Sequence, residues 1–338
     1  MKAIILKKYG DAALAFEQRE LATPVIKNGE VLIKVKYSGL NFADVMARRG
    51  MYKEAPPLPC ILGYDVTGTI LETGAGVHHV KTGDRVMAFT RFGGYADHVV
   101  TDARAVVIIP VNIDEKAAIA LTTQYCTAWY AAAQMVNLHK GDKVLVQAGA
   151  GGVGIALIQY AKHKGCEIFA TAGNPQKIAF LEQLGVHHPI SYRTQDFQRE
   201  IETITNGSGL DVVFDAVGGS SVKKGIKLLA AGGRLVCYGA SVMTDKNVFG
   251  RIKAGLSFGF YHPAMLMMPS KSIIGINMLK VGDSNPGMMQ RCLESVIQLT
   301  NEGVFVPRPA QIFPVKEIAT AHTMLENRQT IGKVALEW

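Results

Sequence analysis

Val144-Leu-Val-Gln-Ala148 runs without a break into Gly149-Ala150-Gly151-Gly152-Val153-Gly154, and the reading of this stretch decides the fold. A GxGxxG pattern alone is a weak signal in a chain with 35 glycines. Here it joins an apolar strand to a helix inside a strand–helix–strand unit of ~30 residues, the context of a dinucleotide-binding loop. In that context Gly149 is expected to permit the tight turn, Gly151 to admit a pyrophosphate close to the backbone, and Gly154 to let the helix lie on the strand. Gly152 and Val153 open the helix, whose unpaired N–H groups attract phosphate.

Outward from this loop the same rhythm continues. The pattern predicts strands at Lys143–Ala148, Cys166–Thr171, near Pro189–Ser191, Asp211–Asp215 and Arg234–Tyr238. Helices are predicted between them at Gly152–Lys164, Pro175–Leu184, Gln195–Thr205 and Ser221–Leu229. This alternation implies a doubly wound parallel sheet, with Ser272–Asn277 as one more buried strand. Before residue 115 the chain reads instead as strands and turns, with Val31–Tyr37 alternating in type and Val66–Leu71 β-branched, which suggests a barrel-like antiparallel domain. Glu115–Val136 looks helical, Met288–Asn301 is an amphipathic helix, and the tail returns to short strands. The expectation is an α/β protein with a discontinuous β-rich domain (1–121 and 270–338) around a nucleotide-binding domain (122–269).

Which dinucleotide it takes is read from the end of the second strand. An NAD site places an acid there, about 20 residues after the loop, to bond the ribose 2′-hydroxyl. This chain has Ala170-Thr171-Ala172-Gly173-Asn174, with no acid. The next helix opens with Asn174 as N-cap, Pro175 at its first position and Lys177 in its first turn. A cation there opposes the helix dipole, and a 2′-phosphate would give it a partner. Tyr192, after the third strand, is placed to face the same phosphate. NADPH is therefore the expected cofactor, against a reading of Lys177 and Tyr192 as surface and packing residues.

These residues and their order resemble the medium-chain dehydrogenase/reductase superfamily, in its zinc-free quinone oxidoreductase branch and near the vesicle amine transport protein subgroup. The match spans Gly39-Leu-Asn-Phe-Ala-Asp44, Tyr52, Gly63-Tyr-Asp65, Gly83-Asp-Arg-Val86, Gly93-Gly-Tyr-Ala-Asp97, the glycine loop, Ser272-Ile-Ile-Gly-Ile-Asn-Met-Leu279 and Gly332-Lys-Val334. The resemblance implies a GroES-like catalytic domain on a Rossmann domain, as a homodimer. It also implies that Asn41, Asp44 and Tyr52 line the nicotinamide and substrate end, and that Thr127 approaches the nicotinamide and diphosphate. Gly173, Lys177 and Tyr192 would then form the adenosine-phosphate pocket, with Tyr238, Gly239 and Ala240 the wall behind the nicotinamide. The family often has Phe and Ser in that wall, so Ala240 puts one hydrogen bond in question.

Zinc members of the superfamily carry a Cys where this chain has Asn41 and Gly-His-Glu where it has Gly63-Tyr64-Asp65. Catalytic zinc needs three ligands of Cys, His or carboxylate type. Four closely spaced cysteines for a structural zinc are also missing, since the chain has no cysteine between Cys60 and Cys126. No metal is expected. Reduction of an electron-poor double bond is then easier than oxidation of an alcohol, because the cofactor brings the hydride and water or a weak acid the proton. Tyr52 can donate that proton or wall the pocket, and Asp44 suits orientation more than acid–base work. Asn41 can bond a substrate carbonyl or the ribose.

The remaining features bound the alternatives. Five scattered cysteines without a CxxC fit a reducing compartment, and neither the N-terminus nor Leu256–Met268 reads as a signal peptide or a span, so a cytoplasmic protein is expected. The net charge of +8 is spread without long basic runs, which favours an anionic cofactor over a nucleic-acid surface. Val248–Met268 joins Arg251 and Lys253 to Phe258, Phe260, Tyr261, Met265, Met267 and Met268, read mainly as packing and cleft lining. The leading expectation is an NADPH-dependent reductase of quinones or other α,β-unsaturated carbonyls. The alternatives are an enoyl-thioester reductase and a non-enzymatic NADPH-binding scaffold with nucleic-acid affinity.

Overall fold

A computed structural model describes residues 1–243 and 248–338, with the side chains at 248, 249, 251, 252 and 254 outside the description. Arg251, singled out above, is one of these. The chain forms two compact units, Met1–Cys126 together with Leu279–Trp338, and Thr127–Met278. The chain changes unit at 126/127 and 278/279, beside the 121/122 and 269/270 expected.

Alternation builds the first unit. Along Glu30–Leu40, Ile33, Val35 and Tyr37 are buried while Lys34 and Lys36 are exposed, a half-buried strand with period two. It is the hub of a seven-stranded sheet ordered Gln311–Pro314, Val334–Glu337, Glu30–Leu40, Asp65–Thr73, Arg85–Phe89, Val106–Ile108, with His98–Asp102 also pairing on Glu30–Leu40. A second sheet runs Phe16–Glu20, Lys2–Leu6, Cys60–Ile61. Val31, Ile33, Val66, Ile70, Val86 and Val99 fill one core cluster; Leu6, Leu40, Leu62, Tyr95 and Leu336 fill another. Val334–Glu337 pairs antiparallel with Tyr37–Leu40, so the tail completes the sheet begun near the start of the chain.

The second unit carries a six-stranded, wholly parallel sheet ordered His188–Ser191, Glu167–Ala172, Lys143–Val146, Leu210–Asp215, Leu229–Cys237, Ser272–Gly275. Its central strands are apolar and buried, as expected of a sheet's interior: Val144, Leu145 and Val146 are fully buried, as are Val212, Val213 and Phe214 beside them. The strand order reverses beside Lys143–Val146, the switch point where open α/β sheets take ligands at their carboxyl ends.

Two expectations are corrected. Ser272–Gly275 is a strand but an edge one, with Ser272 and Gly275 exposed and Ile273 and Ile274 only half-buried, because nothing pairs on its outer side among the described residues. In the Val248–Met268 segment, among the described residues, only Phe258 and Tyr261 pack partly against the core. Phe260, Met265, Met267 and Met268 are 85%, 62%, 75% and 84% exposed, since the short helix Pro263–Met267 buries none of its residues. Between Glu115 and Met135 the chain is helical, but Leu121–Tyr125 and Tyr130–Met135 wind in wider π-type turns.

Candidate functional site

The second unit presents its predicted residues at one end of the parallel sheet. The N-cap position of helix Gly152–His163 is Gly151, which has no side chain to satisfy the first-turn amides. Gly152 is buried and Val153 half-buried in that first turn. The left-handed residue of the turn is Ala148, with φ 54°. Packing demands Gly149: a Cβ there would lie 2.9 Å from Ala170 Cβ and 3.0 Å from Leu181 Cδ2. At Gly154 a Cβ would meet the Ala148 carbonyl oxygen at 2.6 Å and Gly149 Cα at 2.8 Å, the close helix–strand approach expected of it. The second strand braces the loop: Thr171 Oγ1 donates to Gln147 Oε1 at 2.6 Å, and the Gly149 N–H donates to the Thr171 carbonyl at 2.9 Å.

Ala172 and Ser191 are register partners on neighbouring strands, so Gly173 and Tyr192 leave the sheet side by side. A Cβ on Gly173 would lie 2.2 Å from Tyr192 Oη, so the tyrosine ring lies over the bare glycine. Asn174 caps the helix Pro175–Gln183, its Oδ1 accepting the Lys177 N–H at 2.8 Å, and the Lys177 side chain is half-buried. Further along the same sheet end, Asp215 accepts N–H bonds from Val217 and Gly218 at 2.9 and 2.6 Å and the Ser221 hydroxyl at 2.5 Å. Tyr238, Gly239 and Ala240 follow the next strand, the Tyr238 N–H donating to the Asp215 carbonyl at 3.0 Å. Burial, and Asp215 after it, push the Tyr238 phenol well above its usual range. Thr127 is buried at the start of this unit.

These residues fit a dinucleotide. An uncapped helix N-terminus sits at the switch point, a glycine–tyrosine–lysine corner closes the second strand, and no carboxylate stands there to repel a further phosphate.

The first unit gathers the other predicted residues with two partners not singled out from sequence. Asn41 is the N-cap of Phe42–Arg48. Its N–H donates to Asp44 Oδ2 at 2.9 Å, and Asp44 Oδ1 accepts the Gly63 N–H at 3.1 Å. The Asn41 side chain turns to a buried ion pair: Nδ2 donates to Asp65 Oδ1 at 2.7 Å, and Lys333 Nζ donates to Asn41 Oδ1 at 2.9 Å and to Asp65 Oδ2 at 2.5 Å. Gly39 makes room, since a Cβ there would come within 2.6 Å of Asp65 Oδ1 and of Lys333 Cε and Nζ. Burial pushes the Asp44 carboxyl up to about 7; the Asn41 and Gly63 N–H groups and Lys333 oppose this, and Asp65 adds to it.

Tyr52 lies at the edge of this cluster, half-buried, its ring edge-on to Tyr64 at 6.1 Å. The Tyr64 hydroxyl is buried without a hydrogen-bond partner among the described residues, and burial holds its phenol far above its usual range. Asp65 and Lys333 lay inside the quoted motifs Gly63-Tyr-Asp65 and Gly332-Lys-Val334, but nothing local linked them. Among the described residues no group of three or more His, Cys, Asp or Glu is arranged to hold a metal. No helix of those residues is long and apolar enough to cross a membrane.

Comparison with known proteins agrees with this geometry. Residues 27–111 match the alcohol dehydrogenase GroES-like domain and residues 152–294 the zinc-binding dehydrogenase family. The synaptic vesicle membrane protein VAT-1 homolog of Danio rerio is 34% identical over 339 residues, 99% of this chain and 69% of that protein. The Escherichia coli quinone oxidoreductase solved with NADPH superposes with a TM-score of 0.88 at 26% identity, all of both chains being covered. The CurK enoyl reductase reaches 0.87 at 27% identity, covering 99% of this chain and 98% of that one. By sequence and by structure the chain belongs to the medium-chain dehydrogenase/reductase superfamily, in the branch of the zinc-free quinone oxidoreductases and VAT-1 homologues.

Proposed function

We propose that the chain is an NADPH-dependent reductase of quinones or other α,β-unsaturated carbonyls. The observation that carries the cofactor is the corner at the end of the second strand: Gly173 under Tyr192, Lys177 in the first helical turn, and no acid. Gly151, Gly152, Val153 and Gly154 would hold the diphosphate on the helix N-terminus, with Thr127 beside it. Tyr238, Gly239 and Ala240 would wall the nicotinamide. When bound, NADPH supplies the hydride. The chain's own part is to hold and orient the acceptor. Asn41 offers an amide N–H, Tyr52 a phenol that can donate to a carbonyl oxygen, and Asp44 fixes the backbone that carries Asn41. Asn41, an amide where a metal ligand would need Cys, His or carboxylate, supports a reaction that proceeds without a Lewis acid.

NADPH oxidation with 9,10-phenanthrenequinone, naphthoquinones and short enones tests the reading. Absence of turnover with all of them, in protein that binds NADPH, would overturn it. The likeness to the CurK enoyl reductase supports a second reading, reduction of an enoyl thioester, which a saturated thioester product would establish. A cytoplasmic homodimer is proposed with either reading, supported by the apolar side chains exposed on Pro263–Met268 and by scattered, mostly buried free cysteines.

A further inference from the structure

Every polar group of Asn41 except one is accounted for. Its N–H goes to Asp44, its carbonyl accepts the Asp44 N–H at 3.0 Å, its Oδ1 accepts Lys333 and one N–H of its Nδ2 goes to Asp65. The second amide N–H is left over. Which way the amide faces is not free. Turned over, it would set an NH2 against the Lys333 ammonium and an oxygen against the Asp65 carboxylate, two repulsions in a dry site. The Lys333 and Asp65 side chains are 0% exposed.

A buried ion pair seldom stabilises a fold better than apolar side chains of the same size, so stability alone does not explain this one. Its placement does point to Asn41. The antiparallel pairing of Val334 with Leu40 and Ala335 with Gly39 brings Lys333 opposite Asn41, and the bare Gly39 leaves the ammonium its space.

We propose that Lys333 is a positioning residue: its ammonium, with Asp65, locks the Asn41 amide in the one orientation that keeps an N–H for the carbonyl oxygen of the electron-poor substrate. The inference rests on the reductase reading and assigns to that site the hydrogen bond that recognises the acceptor carbonyl. Lys333 itself touches no substrate. The hydrogen bond from Asn41 strengthens as the oxygen gains negative charge, so its loss falls on kcat more than on KM.

Lys333→Met alone would leave the Asp65 carboxylate buried and unpaired, and its folding is at risk. The informative variant is therefore the charge-neutral pair Lys333→Met with Asp65→Asn, alongside Asn41→Leu. Two measurements are made on each: steady-state reduction of 9,10-phenanthrenequinone, and binding by cofactor-free protein of 2,3-dimethyl-1,4-naphthoquinone against 2,3-dimethylnaphthalene, which lacks the carbonyls. The double variant is expected to melt close to the wild type and to bind NADPH as the wild type does. Its kcat should fall about 10- to 100-fold, with a smaller rise in KM. The wild type should prefer the quinone over the hydrocarbon, and both variants should lose that preference. A double variant that keeps wild-type kcat and the quinone preference overturns the proposal while leaving the reductase reading intact. A wild type that turns over no quinone or enone, yet loses its quinone preference in the variants, overturns the reductase reading and leaves Lys333 as the residue that sets the amide.

Discussion

Asp44 carries the most informative pH dependence. Its folded pKa, about 7, lies above its ordinary 3.8, so the folded protein holds a proton that the unfolded chain releases. Stability from this group is complete below about 4 and is lost as pH rises to about 7. Asp44→Asn is expected to be less stable at pH 5, having one acceptor oxygen where Asp44 uses two, and the gap should narrow by pH 8, as chemical denaturation at the two pH values would measure. A gap that widens with pH would contradict it. For Lys177, Lys177→Ala should weaken NADPH over NADH by ~1.5–3 kcal/mol in fluorescence titrations, and equal losses would reject a 2′-phosphate at that corner. Lys177 was legible because Asn174-Pro175 announces a helix start and a cation in the first turn is out of place there. The Lys333–Asp65 pair was not, since its partners are 268 residues apart and meet only through the pairing of two strands. The conformation of Ala148 was not legible for another reason: the rule for such loops looks to the glycines, and here the left-handed backbone falls on an alanine. Ala148→Gly should therefore raise stability by ~1 kcal/mol in thermal or denaturant unfolding, the cost of a Cβ in that conformation.

The parallel sheet was readable almost strand by strand, because a strand buried on both faces is an apolar run, and Asn174 and Asp196 cap two of the helices between. Differences arise where local pattern is silent. The fifth strand begins at Leu229, earlier than the Arg234 expected, and spans Gly232 and Gly233, whose lack of side chains gives no strand pattern. Ser272–Gly275 looked buried because Ile-Ile reads as core, but composition does not distinguish a central strand from an edge. The Ala-rich stretch after Glu115 was visible as helix, while its wider turns were not, since π-type and α turns draw on the same residues. At this scale Gly154 is the sharpest test. A methyl group there has nowhere to go but into the Ala148 carbonyl and the Gly149 backbone, and Gly154→Ala must prise the helix off its strand. It should cost ~1–3 kcal/mol in thermal unfolding and weaken NADPH binding at the same time. Full affinity in the variant would count against the loop as the diphosphate cradle.

Taken whole, the described residues show a surface that asks for a partner. Phe260, Met265, Met267 and Met268 stand largely in water on the unit whose sheet ends at the open strand Ser272–Gly275. Light scattering is expected to give twice the 36.5 kDa chain mass, and the pair Met267→Glu with Met268→Glu to lower it toward one chain. A wild-type monomer at micromolar concentration would refute the dimer. The strand Val334–Glu337 has a different consequence. It lies inside its sheet, between Gln311–Pro314 and Tyr37–Leu40, although it is synthesised long after Tyr37–Leu40. Thr127–Met278 is an unbroken run and can close as soon as it emerges, whereas the opening 126 residues must wait for the tail. Of the two units, the one begun before the other is completed after it, and a nascent chain with a naked strand edge is the form most in need of a chaperone's shelter.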